Sequence, residues 1–237
     1  MPNFTIPSTT VGAVPVRIIV RQQKEIGSPK LVKEFWLSLE AIIETIFLAL
    51  MATAFGLILA VPMSFVAARN LMATNIITLT IYYLVRLFMN VVRSIEPLIW
   101  ALIAIVWVGP GPFAGVIALT IHTIAALGKL YSESIESIDD GPIEAIQATG
   151  ADRLQTIMYA VVPQVVPPFV SFTIYRWDIN VRMSTIIGAV GGGGIGAILV
   201  QWIRIGDYDS VGIAVWMIAI VVTILDYASA RIRERYV

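Results

Sequence analysis

The 237-residue chain has no cysteine and one histidine, His122. Without cysteine there are no disulfides, no thiolate nucleophile and no cysteine-ligated metal. A single imidazole cannot build a metal centre, so His122, inside an apolar run, reads as a helix-packing contact. Nor does it support a Ser/His/Asp arrangement. The phosphate-cradling pattern G-x-x-x-x-G-K-[S/T] is missing as well. Gly128-Lys129 is followed by Leu130, and no glycine stands five residues before Gly128, so ATP is not hydrolysed here by that route. Charge is sparse and balanced: charged residues make up 14%, with 16 basic and 16 acidic side chains. Nothing therefore draws the whole chain toward nucleic acid. The stretch Met1 to Lys33 lacks the basic-then-apolar order of a secretory signal.

What fills the chain instead is apolar. Hydrophobic residues reach 58% and the mean hydropathy is +0.84, which places it in a membrane. A helix needs about 20 apolar residues to cross, and several runs qualify. Residues 1–34 are polar, with prolines at 2, 7, 15 and 29, and read as loosely ordered or interfacial. The apolar regions are Ile42–Ala67, Ile76–Val108, Phe113–Leu130, Gln164–Ile187 and Val211–Tyr227, inside a membrane domain over 35–230. The sequence thus predicts an all-α integral membrane protein, without internal repeats. Ile76–Val108 contains Arg86, Arg93, Glu96 and Pro97. The part after Pro97 gives roughly 18 Å of helix, too short to cross alone, so one kinked crossing and five spans are expected. The basic tail, 231–237, carries Arg231, Arg233 and Arg235 and predicts a cytoplasmic C-terminus. Five spans then put Arg17, Arg21, Lys24, Lys30 and Lys33 outside, against the same tendency; six crossings would relieve that conflict.

The polar stretch 131–155 is patterned too well for a plain connector. Asp139 and Asp140 precede Gly141-Pro142, and proline suits a first helical turn. Acid at that end complements the helix dipole, and Gly150 is a natural terminator, so a short helix is expected over Ile143–Thr149. It reads either as an amphipathic loop helix or as a docking element outside the membrane.

Two further features sit inside apolar runs. Arg176, Asp178, Asn180 and Arg182 fall in the fourth region, where a charge costs a few kcal/mol and faces a partner or water. Spacing pairs Asp178 with Arg182 and Arg176 with Asn180. They read either as structural pairs locking a helix bundle or as the lining of a path for an anionic substrate. Gly191, Gly192, Gly193, Gly194 and Gly196 formally match a dinucleotide pattern, but no strand-helix-strand unit surrounds them. Close packing, a re-entrant turn or a gate are the readings left open.

Glu144, Ala145 and Ile146, then Gly150 and Pro163, keep the spacing of the E-A-A-x-x-x-G…I-x-L-P signature, with Ala160 and Val162 in place of Ile and Leu. The chain resembles ABC-importer permeases, and the phosphonate permease family in particular. Arg93–Leu102, Ala126–Tyr131, Tyr175–Ser184 and Gly188–Gly196 carry that second resemblance. It implies a type I permease fold with five core helices, six being possible, and a cytoplasmic coupling helix at Glu144, Ala145, Ile146, Gly150 and Pro163. It also implies an inner-membrane location among lipid, a separate ATPase subunit, an external substrate-binding protein and a second copy of the chain. The chain itself would be non-catalytic and without cofactor or nucleic acid. The implied cargo is phosphonate, phosphite or phosphate, moved by alternating access. The alternatives are a methionine-type permease, an ion-coupled carrier or channel, and a membrane scaffold. Residues 1–34 depart from the family, whose members often begin with another transmembrane helix.

Overall fold

Five helical stretches of 19 to 39 residues are long and apolar enough to cross a membrane. They belong to a computed structural model that describes residues 33–73 and 75–234. In order, the helices are α1 (Lys33–Val66), α2 (Arg69–Met72), α3 (Ile76–Ser94), α4 (Pro97–Val108), α5 (Pro112–Glu136) and α6 (Asp140–Ala148). There follow α7 (Arg153–Thr156), a π-helical turn (Ile157–Val161), α8 (Val162–Ile187), a second π-helical turn (Gly188–Gly192), α9 (Gly194–Ile205) and α10 (Tyr208–Arg233). Lys33 and Glu34 open α1; the rest of the polar N-terminal segment lies outside the described residues, as do 235–237 of the basic tail.

α5 is the centre of the bundle. Of its span, 61% is enclosed by other helices, against 33% or less for the remaining spans. α1 lies against it through a stripe of small side chains: Ala49, Ala52, Thr53, Gly56 and Ala60 are all buried. Small residues let two backbones approach, which is how helices associate without a hydrophobic drive between them. A methyl group at Gly56 would run into Thr123 on α5. α8 packs against both α1 and α5, α10 covers α8 and α1, and α3 and α4 sit on α5.

The region Ile76–Val108 crosses once, in two pieces. α3 brings Met89 and Val92 against Ala125 and Ile121 of α5, whereas α4 brings Ala101 against Ala118, Leu119 and Val116. The numbers fall along α5 as they rise along α3 and α4, so α4 continues in the direction of α3. Asn75 starts α3 with a reciprocal cap, accepting from the Thr78 amide at 2.9 Å while Thr78 Oγ1 accepts from the Asn75 amide at 3.3 Å. Pro97 ends the first piece. It lacks the N–H that would bond the Arg93 carbonyl, and it forces Glu96 to an extended ψ of 141°. The Trp100 indole N–H donates to the Val92 carbonyl at 3.3 Å, and the His122 ring faces the Arg93 backbone. A break inside the membrane is thus satisfied by neighbouring side chains.

Helix ends run past the apolar regions. α1 begins at Lys33 rather than near Ile42, α5 continues through Glu136, and α10 covers Tyr208–Arg233. Lys, Glu and Arg are good helix formers, so polarity marks where a helix leaves the membrane rather than where it stops. α6 lies at the end of the bundle where α1 finishes and α8 starts; α9 lies at the other.

Candidate functional site

α6 starts three residues earlier and ends one residue earlier than expected, over Asp140–Ala148 instead of Ile143–Thr149. Asp139 explains the shift: it is the N-cap, and its carboxylate accepts from the Gly141 amide at 3.1 Å. Thr149 is the C-cap, and Gly150 closes the element at φ +82°, donating to the Gln147 carbonyl at 2.9 Å. Glu144, Ala145, Gln147 and Ala148 are exposed, and Ile146 is half-buried. Ile143 points the other way, packed with Ile138 and Ile157 against buried Ala68, Ile135, Val161 and Val165.

The root of α6 is tied to α8. Gln164 Oε1 accepts from the Asp139 amide at 2.9 Å, and Gln164 Nε2 donates back to the Asp139 carbonyl at 3.2 Å. Pro163 follows directly on the π-helical turn Ile157–Val161, inside the continuous helical stretch that becomes α8. One turn further, α8 is fixed to α5: the Tyr131 and Phe169 rings stack at 3.8 Å, and the Tyr131 hydroxyl meets Thr173 Oγ1 at 2.5 Å. A cleft of about 510 Å³ opens beside α6, lined by Asn70, Asp140, Ile143, Gln147 and Thr156 among others.

Arg176, Asp178, Asn180 and Arg182 of α8 divide into two groups. Asp178 pairs with Arg182 as the spacing predicts, and Arg182 Nη1 reaches Asp226 Oδ2 on α10 at 3.2 Å. Arg176 and Asn180 do not pair, a correction to the spacing argument. Thr123 Oγ1 of α5 lies between them and accepts from both, from Arg176 Nε at 3.4 Å and Asn180 Nδ2 at 2.9 Å. Asn180 Nδ2 also donates to Thr53 Oγ1 on α1 at 2.9 Å, and Arg176 Nη2 meets His122 Nδ1. This joins α1, α5 and α8 through groups that are almost wholly buried. Hydrogen-bonded burial of this kind holds helices in one register. Arg86 pairs with Glu136 at 2.8 Å and also meets the Tyr82 hydroxyl.

The glycine run makes a tight reversal at the α9 end. Gly191, Gly193 and Gly194 have φ of +108°, +81° and +70°, a region that favours glycine. Gly111 donates to the Gly191 carbonyl at 2.7 Å. Gly196 sits against the Thr185 carbonyl and Ala189 amide, and Gly192 against Ile187 and Gly115. α1 completes the turn by capping α9: Glu44 Oε1 accepts from the Gly194 amide at 3.3 Å and Thr45 Oγ1 from the Ile195 amide at 2.9 Å.

Sequence reasoning missed Asp226, Thr53, Thr123, Gln164, Glu44 and Thr45. Asp226 stands at the edge of the apolar region Val211–Tyr227, where an acid reads as interfacial and calls for no partner. The threonines gave no signal either, because Thr at a helix interface reads as a small apolar residue.

Comparison with known proteins agrees with this geometry. Residues 52–236 match the family model described as "Binding-protein-dependent transport system inner membrane component". The chain is 36% identical over 195 residues to the phosphite transport system permease protein PtxC of Stutzerimonas stutzeri, covering 82% of this chain and 70% of that one. It is 38% identical over 194 residues to the phosphate-import permease protein PhnE of Mycolicibacterium smegmatis, covering 82% of this chain and 36% of that one. Among solved structures, an inward-facing form of the MetNI methionine ABC transporter superposes with TM-score 0.74 and 25% identity, over 85% of this chain and 97% of the other. That fold similarity and the extent of the family match place this multi-pass membrane chain in the family of inner-membrane components of binding-protein-dependent transport systems.

Proposed function

We propose that the chain is the permease subunit of an ATP-driven importer for a phosphorus oxyanion, such as phosphite, phosphonate or phosphate. The observation that carries this is the mounting of α6. Its outer face, with Glu144 and Ala145, is left uncovered by the rest of the described chain, while its root is fastened to α8 through Gln164 and to the helix ends through Ile143. A motor subunit gripping that face would move α8, and with it α5 through the Tyr131–Phe169 stack. ATP-driven closure of the motor would open the bundle toward the binding protein, and hydrolysis would return it.

The α6 end, with the C-terminus, faces the cytoplasm in this reading. Arg69 lies at that end and Arg231 and Arg233 lie toward it, against Lys33 and Arg204 at the other. The glycine reversal with its Glu44 and Thr45 caps forms the outer seal. Two copies about a two-fold axis form the path between them, consistent with how little of most spans the chain itself encloses. The relatives named for phosphite and phosphate are 36% and 38% identical, against 25% for the methionine system, which favours a phosphorus anion.

Co-purification with the partner ATPase tests the coupling role. Glu144→Arg and Gly150→Arg are expected to lose the ATPase and phosphite uptake; retention of both in both variants would remove the assignment. A methionine permease is the second reading, favoured by the structural likeness, and methionine rather than phosphite uptake by the reconstituted complex would establish it.

A further inference from the structure

We infer that Arg93 and Lys129, with buried Arg176 behind them, form a cationic strip at membrane depth that carries a small phosphorus oxyanion along the path. The inference rests on the permease reading and adds to it the residues that meet the cargo.

The strip begins with the three-sided character of α3. Tyr82, Val85, Met89 and Val92 face the bundle, whereas Leu84, Leu87, Phe88 and Val91 are apolar and exposed. Arg86, Asn90, Arg93 and Ser94 occupy a third sector, roughly 120° from each of the others at 100° per residue. A helix touching only protein and lipid needs two faces; the third, polar one calls for water. α5 answers it with His122, Lys129, Glu133 and Glu136 along a single stripe, and Lys129 Nζ donates to Asn90 Oδ1 at 3.0 Å.

The charges along this strip are unbalanced. Ion pairs among the described residues join Arg86 to Glu136, Arg182 to Asp178 and Asp226, and Arg231 to Glu234. Arg93, Lys129 and Arg176 are in none of them, although Glu96 and Glu133 lie on the same face. Arg176 approaches from α8 through His122, and Arg93 lies within electrostatic reach of both. Arg93 is exposed. Arg93 or Lys129 facing lipid at mid-depth would each cost about 3 kcal/mol. A water-lined path holding an anion removes that cost and explains why no carboxylate neutralises them. Lys129 lies two helical turns, about 10 Å, from His122 toward α6. An anion can therefore pass from Arg93 at the α3–α4 break to Lys129, and then meet Arg86 already engaged by Glu136.

With no cysteine in this chain, each introduced thiol is its only one. Ser94→Cys places a thiol beside Arg93, and Val91→Cys places one on the apolar face at similar depth. Both are introduced singly into the complete complex in phosphatidylcholine nanodiscs. Ser94→Cys is expected to react from water, and an anionic sulfonate thiol reagent about tenfold faster than a cationic trimethylammonium one. Phosphite should slow that reaction, and adding Arg93→Gln with Lys129→Gln should bring the two rates together. Reaction no faster than at Val91→Cys, or a preference for the cationic reagent, overturns the strip. Loss of access when phosphatidylglycerol is added would mark a lipid headgroup as the occupant and also overturns it. In phosphite uptake, Lys129→Gln should lower transport about tenfold while ATP turnover persists, and Lys129→Arg should restore most of it. Equal loss of both activities would mean a structural lysine. Methionine uptake by the unaltered complex would overturn the substrate reading, whereas the thiol rates judge the strip without any transport.

Discussion

The two ends of this bundle are assembled by opposite means. At the α9 end backbone meets backbone: Gly192 lies against Gly115, Gly188 against Gly196, and a Cβ on Gly115 would stand 2.9 Å from the Gly192 carbonyl. At the α6 end, side chains do the fastening, through Gln164 and Asp139, and the outer face is left bare. Backbone contacts tolerate no variation, which suits a seal. Side-chain contacts can strain and re-form, which suits an element that receives force from another subunit.

Substitutions can break or sharpen that contrast. The largest effect is expected from Gly196→Leu, whose new side chain would meet the Thr185 carbonyl and Ala189 amide, neither able to move aside. A loss of about 3 kcal/mol or more is expected, read as disappearance of monodisperse protein in detergent. Gln164→Ala, at the other end, removes three hydrogen bonds, two to Asp139 and one to the Ala160 carbonyl, and should cost about 2 kcal/mol. The same variant should lower uptake relative to ATP turnover, because α6 is no longer fastened to α8; unchanged coupling would mean the amide contacts transmit nothing. Gly150→Ala should have the smallest effect, about 1 kcal/mol in thermal unfolding. Its φ is positive but nothing lies within 4 Å of the added carbon. If Gly150→Ala proved as harmful as Gly196→Leu, the contrast between the ends would fail.

How far this could be read from sequence depends on how local each feature is. The helical class, the crossings and the break at Pro97 follow from run lengths and from one residue without an N–H. The segment around Glu144 was legible because its spacing lies within 20 residues of chain. Its frame was not, since Asp139 and Asp140 are equally good caps and only the Gly141 contact chooses between them. Partners on different helices were hidden for another reason. Asn180 finds Thr53 at a separation of 127 residues, and nothing in two apolar helices fixes which faces meet. Local spacing misled at Arg176 and Asn180, where a shared threonine on α5 outcompeted the neighbour one turn away. The small size of Gly196 likewise has meaning only once Thr185 is folded against it.

The reciprocal amide contact has one more consequence. Because Asp139 and Gln164 hold each other across 25 residues, the intervening chain is drawn into a ring, which Ile143 also packs against Ala68 and Ile135. A ring closed at its base moves with α8 as one piece, so a push on its exposed rim at Glu144 would reach a helix nearly three times the length of α6.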